Sequence, residues 1–354
     1  IPNRLEALDW LRGLMALSIM LFHLGVFGYI NHAQDASNIL GKLGIYGVSI
    51  FFILSGLSMA IAYDKYISGI RSSLNFFIRR IFRIWPLLWL SVALVAIPAY
   101  FTDSQYSLLL IGANLTTLFG FVSPASYINM GAWSIGNEMV YYALTPFFIM
   151  AYNKNIKLGN LITLIMMLIG LLFAFVFLDT QKSLSEQWNL YINPFNNMFF
   201  YCSGLCMYYN FRHTDLDKKF HFHIFILSIL SFVFYPVFGD QINLVSGVNR
   251  IFMSIISIFI VFTFYKMPPK IPFYFGFILE KIGISTYGIY LLHPIVISFV
   301  EFVFSKQMLA NSFAVVSSVI ALTIIISLLI FKYIETPFIK LGKKFANNFV
   351  WIAN

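Results

Sequence analysis

Apolar runs near 20 residues long, separated by short polar breaks, repeat along the chain. They lie at about 6–29, 43–62, 84–102, 133–151, 159–178, 195–210, 222–238, 249–266, 284–303 and 312–332. A helix needs roughly 20 residues to cross a bilayer core, so each run is a candidate span. No stretch shows the short alternating segments of a membrane β-barrel, which leaves helices as the spanning elements. One further run, 106–122, is interrupted by Gly112, Asn114, Thr116, Thr117 and Gly120. It makes a poor lipid-facing helix, and whether it crosses decides the side of every later loop.

Charge settles that choice. Of 354 residues, 60% are hydrophobic and 10% charged, with 40 Phe and 20 Tyr. That is more apolar surface than a water-soluble domain hides. The net charge of +9 therefore bears first on topology, and nucleic acid is not expected as a partner. Suppose 106–122 does not cross. Then Arg4, Lys65, Arg71, Arg79, Arg80, Arg83, Lys154, Lys157, Arg212, Lys218, Lys219, Lys266, Lys270, Lys281, Lys332, Lys340, Lys343 and Lys344 share one side, 18 of the 23 Lys and Arg. Lys42, Lys182, Arg250 and Lys306 fall opposite, and Arg12 lies within the first run. Cation-rich loops stay in the cytoplasm. The expected fold is an all-α polytopic membrane protein, a bundle of about ten transmembrane helices with N- and C-termini cytoplasmic. About 103–132 then lies outside or re-enters. The reading is a single transmembrane domain over 1–345 with a short C-terminal tail at 346–354. The first run is too long for a signal-peptide core and is read as a retained span. Cys202 and Cys206 sit one helical turn apart with no His or carboxylate at ligand spacing, so they read as structural thiols and no metal site is expected.

Ionisable groups inside spans cost about 2.5–3.5 kcal/mol each on insertion scales, so each one asks for a reason. In "LDWLRGLMALSIMLFHL", Arg12 and His23 are separated by eleven positions and project from one helix face, roughly 16 Å apart along the axis. Asp9 is three residues before Arg12 and can pair with it. Arg12 reads either as a rim residue bonded to Asp9 or as part of a site, and His23 as an interhelical hydrogen bond or a catalytic group. Arg79, Arg80 and Arg83 are expected on a short helix before the third span, with Trp85 and Pro86 marking membrane entry. They suit lipid headgroups, or a phosphorylated cytoplasmic ligand. In "AWSIGNEMVYY", Trp133 is expected at the outer interface. Glu138, about one and a half turns further in, has to pair, protonate or act. Tyr287, Tyr290 and His293 step by three along one broad face, and Pro294 is expected to break that helix. Glu335, just before Pro337, reads as a structural helix end.

Together these stretches resemble the acyltransferase-3 family of integral membrane acyltransferases, as a stand-alone member without a soluble hydrolase-like domain. "LDWLRGLMALSIMLFH" is similar to its opening arginine–histidine motif and "GVSIFFILSG" to its second-span motif. "RRIFRIWP" is similar to its basic motif, "WSIGNE" to its Trp-Ser…Glu motif, "YGIYLLHP" to its ninth-span motif and "IETPF" to its closing Glu-x-Pro. The six occur in order. Met139, Val140, Ser49 and Trp10 depart from common family residues.

The resemblance implies an O-acyltransferase, in the first place an O-acetyltransferase, in a bacterial inner (cytoplasmic) membrane. It would move an acyl group from cytoplasmic acyl-CoA, such as acetyl-CoA, to a hydroxyl of an extracytoplasmic glycan or lipid-linked glycan. No permanently bound cofactor is implied, and the partners are donor, acceptor and membrane lipid. Its implied roles are catalysis by His23 as general base with Glu138 orienting it, and donor binding by Arg12, Arg79, Arg80 and Arg83. Asp9, Trp133, Ser134, Tyr287, Tyr290 and His293 would support them. The alternative on residues alone is a secondary transporter or flippase using Arg, His and Glu as a proton relay.

Overall fold

A computed structural model describes residues 6–102, 105–215, 217–266, 271–304 and 312–352. The chain runs through α1 (Glu6–Val26), α2 (Ile39–Tyr63), α3 (Ile70–Tyr100), the short α4 (Leu108–Leu115) and α5 (Phe119–Val122), α6 (Ala132–Lys154) and α7 (Ile156–Leu172). It continues through α8 (Trp188–Tyr191), α9 (Pro194–Phe211), α10 (Lys218–Phe234), α11 (Ile242–Val245) and α12 (Gly247–Lys266). The last elements are α13 (Phe273–Ile284), α14 (Thr286–Val303), α15 (Ser312–Ile330) and α16 (Thr336–Ile352). No strand occurs among the described residues.

Local chemistry sets many of the helix starts. Asn38, Ser107, Asn155, Asn193 and Asp217 each accept a backbone N–H from the first turn of the helix that follows. Among the described residues, seven helices are long and apolar enough to cross a membrane, which makes this a multi-pass membrane protein. Helices lie at all ten expected runs. Three fall outside the seven: α6 and α9 hold too many polar residues, and α10 is short. The polar side chains of α6 and α9 are tolerable because most of them are buried in protein. The run at 106–122 is two short helices, neither long enough to cross.

The helices form a graded bundle. The apolar window of α2 is 72% buried, whereas those of α7 and of α15–α16 are 22% buried, so α2 is central and the other two are peripheral. α1 and α9 flank α2. The α2–α9 crossing is close because a Cβ on Gly56 would lie 2.0 Å from the Tyr201 carbonyl oxygen, and one on Gly204 2.1 Å from that of Ile53.

Three local expectations fail. α3 is one continuous helix of 31 residues through Pro86, so the arginine cluster sits on the same helix as the span, not on a separate one. α14 likewise runs through Pro294 without ending. In a packed membrane bundle, neighbouring groups re-satisfy the backbone that proline frees. Glu335 does not end a helix either. Thr336 N–H bonds to Phe331 C=O in one wide turn, and α16 follows and packs on α3. α13, just before the ninth expected run, is an additional helix.

Candidate active site

A cavity of about 560 Å³ runs through the bundle between α1, α2, α3, α6, α14 and the α15–α16 junction. Its α2 wall extends from Ala62 to Val48, fourteen positions or about 21 Å of helix. One end is basic. Arg80 and Arg83 from α3 line it, with Arg12 from α1. Arg80 donates to the Tyr63 hydroxyl at 2.8 Å, and its guanidinium lies over the rings of Tyr63, Phe76 and Tyr142. Arg83 is exposed at the rim. Arg12 is held by buried Asp9 at 2.8 Å and by the Ser58 hydroxyl. The Asp9–Arg12 pairing expected from their spacing is present. Arg79 is elsewhere: it stacks on Tyr66 and donates to Asn347 Oδ1 at 3.0 Å, and it is absent from the cavity wall. Three of the four arginines therefore converge and one does not.

Glu138 lies midway along the cavity. Its Oε1 accepts from Ser55 Oγ at 2.5 Å and from the Tyr142 hydroxyl. These partners replace the expected Glu138–His23 contact. The sequence reasoning missed Ser55, Ser58 and Tyr142. The signals were two hydroxyls three apart in the second half of α2, and a tyrosine one turn after Glu138 on the same face.

The far end is aromatic. Val48, Phe51, Phe52, Ser134, Ile135 and Tyr290 line it. Ser134 Oγ and the Tyr290 hydroxyl are hydrogen-bonded at 2.9 Å, and Phe51 meets the Tyr290 ring edge-on at 6.0 Å. Tyr287, one turn earlier on α14, donates to the Ile84 carbonyl at 2.8 Å and ties α14 to α3. Trp133 does not sit at a lipid interface. It is buried against Phe52, Trp188 and Tyr191, because α8 folds over it.

His23 and His293 lie past that end. Neither lines the cavity, yet the Tyr290 and His293 ring centroids are only 6.2 Å apart. The two imidazoles are nearly parallel, and His23 Nδ1 is 2.7 Å from His293 Nε2. His293 is fully buried, and its Nδ1 is 2.9 Å from the Ile289 carbonyl oxygen. A carbonyl can only accept, so in the neutral pair His293 Nδ1 carries the proton. His293 Nε2 then accepts from His23 Nδ1–H. His23 Nε2 is left as the nitrogen with the free lone pair. His23 as a residue is part-exposed, in contrast to the fully buried His293.

Comparison with known proteins follows the same lines. A model of an acyltransferase domain matches residues 5–332. Over 98% of this chain the sequence is 25% identical to the peptidoglycan O-acetyltransferase OatA of Listeria monocytogenes serovar 1/2a. Over 97% it is 23% identical to a protein of Staphylococcus aureus (strain COL) that carries O-acetyltransferase in its name. In each case the alignment spans 58% of the relative's own length. No solved structure matches the chain.

Proposed function

The chain belongs to the acyltransferase family whose domain model covers residues 5–332, and from that premise we propose that it is a membrane O-acetyltransferase drawing on cytoplasmic acetyl-CoA. The acceptor is a hydroxyl of an extracytoplasmic glycan, a class suggested by the peptidoglycan named for the Listeria relative. The protein lies in the bacterial inner membrane with ten spans and both ends in the cytoplasm. One observation carries the reading: the cavity is basic where a cytoplasmic donor would enter and stops one α14 turn short of the His23–His293 pair.

In this reading Arg80 and Arg83 hold donor phosphates, and Arg12, pinned by Asp9 and Ser58, neutralises charge further in. The pantetheine arm follows the cavity toward Tyr290. The acceptor oxygen, losing its proton to His23 Nε2, attacks the thioester carbonyl carbon. The carbon–sulfur bond breaks, and the coenzyme leaves as thiolate and takes up a proton. His293 holds the tautomer that makes Nε2 the base. Glu138 forms with Ser55 and Tyr142 a fixed hydrogen-bonded group between the two ends. The polar groups fall into separate sets, Glu138 with Ser55 and Tyr142 and His23 with His293, which favours acyl transfer over a continuous transporter relay.

The test uses purified protein in detergent with acetyl-CoA. Release of free coenzyme A should depend on a glycan acceptor and disappear in His23→Gln. Acceptor-independent behaviour with no thiol release would sink the proposal.

A further inference from the structure

The far wall of the cavity has a consequence for which acyl groups can react. Followed from the basic end, the cavity lining stops at Tyr290 on α14, Val48 on α2 and Ser134 on α6. The ring is fixed on several sides. Its hydroxyl is bonded to Ser134 Oγ at 2.9 Å, and Phe51 packs edge-on at 6.0 Å. The Gly131 Cα stands so close that a Cβ there would lie 3.2 Å from a Tyr290 ring carbon. Tyr290 is 5% exposed and sits inside a helix that runs unbroken through Pro294, so the backbone cannot easily retreat. Behind the ring stand the histidines. The reacting carbonyl must come to rest near Tyr290, and whatever extends beyond it must fit against Val48, Phe51, Phe52 and Ile135.

We propose that Tyr290, locked by Ser134 and Phe51, is the wall that limits acyl chain length and makes the enzyme specific for short acyl-CoA donors. The proposal rests on the acyltransferase reading above and adds the residue that sets the acyl length. A rigid aromatic wall rejects additional methylenes by overlap, whereas a soft or empty one accepts them. One methylene in a shaped apolar pocket changes discrimination by about 10–200-fold, and butyryl carries two more than acetyl.

The experiment compares kcat/KM for acetyl-CoA and butyryl-CoA in wild type, Tyr290→Ala, Tyr290→Phe and Phe51→Leu, with thiol release as readout. Wild type should prefer acetyl. Tyr290→Ala should move the ratio toward butyryl by at least about tenfold. Tyr290→Phe keeps the ring and loses only the hydroxyl, so its ratio should stay near wild type whatever its absolute rate. Phe51→Leu loosens the same wall from α2 and should shift the ratio in the same direction, which covers the case in which Tyr290→Ala does not fold. An unchanged ratio in the folded wall variants, with acetyl-CoA still turned over, overturns this inference and leaves the acyltransferase reading standing. An equal shift in Tyr290→Phe and Tyr290→Ala also overturns it, because the hydroxyl and not the wall would then control selection. Failure of wild type to turn over either donor overturns the acyltransferase reading itself.

Discussion

At the scale of single residues the pair His23–His293 carries the most weight. His23→Gln keeps a hydrogen-bonding side chain but cannot take a proton, so transfer should fall by at least about 100-fold with donor binding intact. His293→Gln keeps a donor and an acceptor but not at the fixed spacing by which the imidazole reaches the Ile289 carbonyl and His23 Nδ1 together. It should lower kcat with little change in donor KM, and its effect should not add to that of His23→Gln, since both act through one base. Additive losses would mean that His293 acts independently. The arginines make the opposite prediction. A phosphate contact is present in ground and transition states alike, so Arg83→Ala should raise KM for acetyl-CoA more than it lowers kcat. Arg79, bonded to Asn347 and stacked on Tyr66, should tolerate Ala with donor KM near wild type. Steady-state kinetics on the same preparations checks all four.

At the scale of elements, the close α2–α9 crossing gives a stability prediction. A methyl on Gly204 would meet the Ile53 carbonyl oxygen at 2.1 Å, a backbone atom that cannot rotate away. Gly204→Ala should therefore separate the two helices and cost about 1–3 kcal/mol, seen as a lower midpoint of thermal aggregation in detergent. Gly112→Ala, with nothing within 4 Å of the added carbon, is the matched control and should be near neutral. The same contrast explains what could be read from the sequence. Apolar length is a property of one segment, so helices stand at all ten expected runs. The Asp9–Arg12 pair was legible because it is three residues apart on one helix. Continuity of α3 through Pro86 was not legible, since the cost of a proline depends on neighbours that the local sequence does not name. Neither was the partner of His23, which lies 270 positions away. The partners of Glu138 were split. Tyr142 lay one turn off, but Ser55 belongs to another helix and comes near only through the α2–α6 packing.

At the scale of the whole molecule, the separation of polar from lipid-facing surface makes a prediction about sidedness. The arginines, the glutamate and the histidines lie on the faces of α1, α3, α6 and α14 that surround the cavity and its far end, while α7 and α15 expose Leu, Ile and Phe. Every functional assignment above requires the basic end of the cavity to face the cytoplasm, because acyl-CoA is made there. The exposed lysines of α16, Lys340, Lys343 and Lys344, lie on the helix that packs against α3, which carries the cavity arginines, so they report the same side. The loop after α5 belongs to the other end: Ser126 is tied to Asn114, and Asn129 to the Leu291 carbonyl, two residues from His293. Cysteine at the exposed position Ala125 should therefore react with an impermeant thiol reagent in intact cells, and cysteine at Lys343 only after lysis. The native Cys202 is buried and Cys206 is partly buried in α9, so wild type supplies the blank. The two engineered positions must give opposite results. If Lys343→Cys labels in intact cells and Ala125→Cys does not, the molecule is inverted, the arginines face away from the donor, and the proposed direction of transfer fails with them.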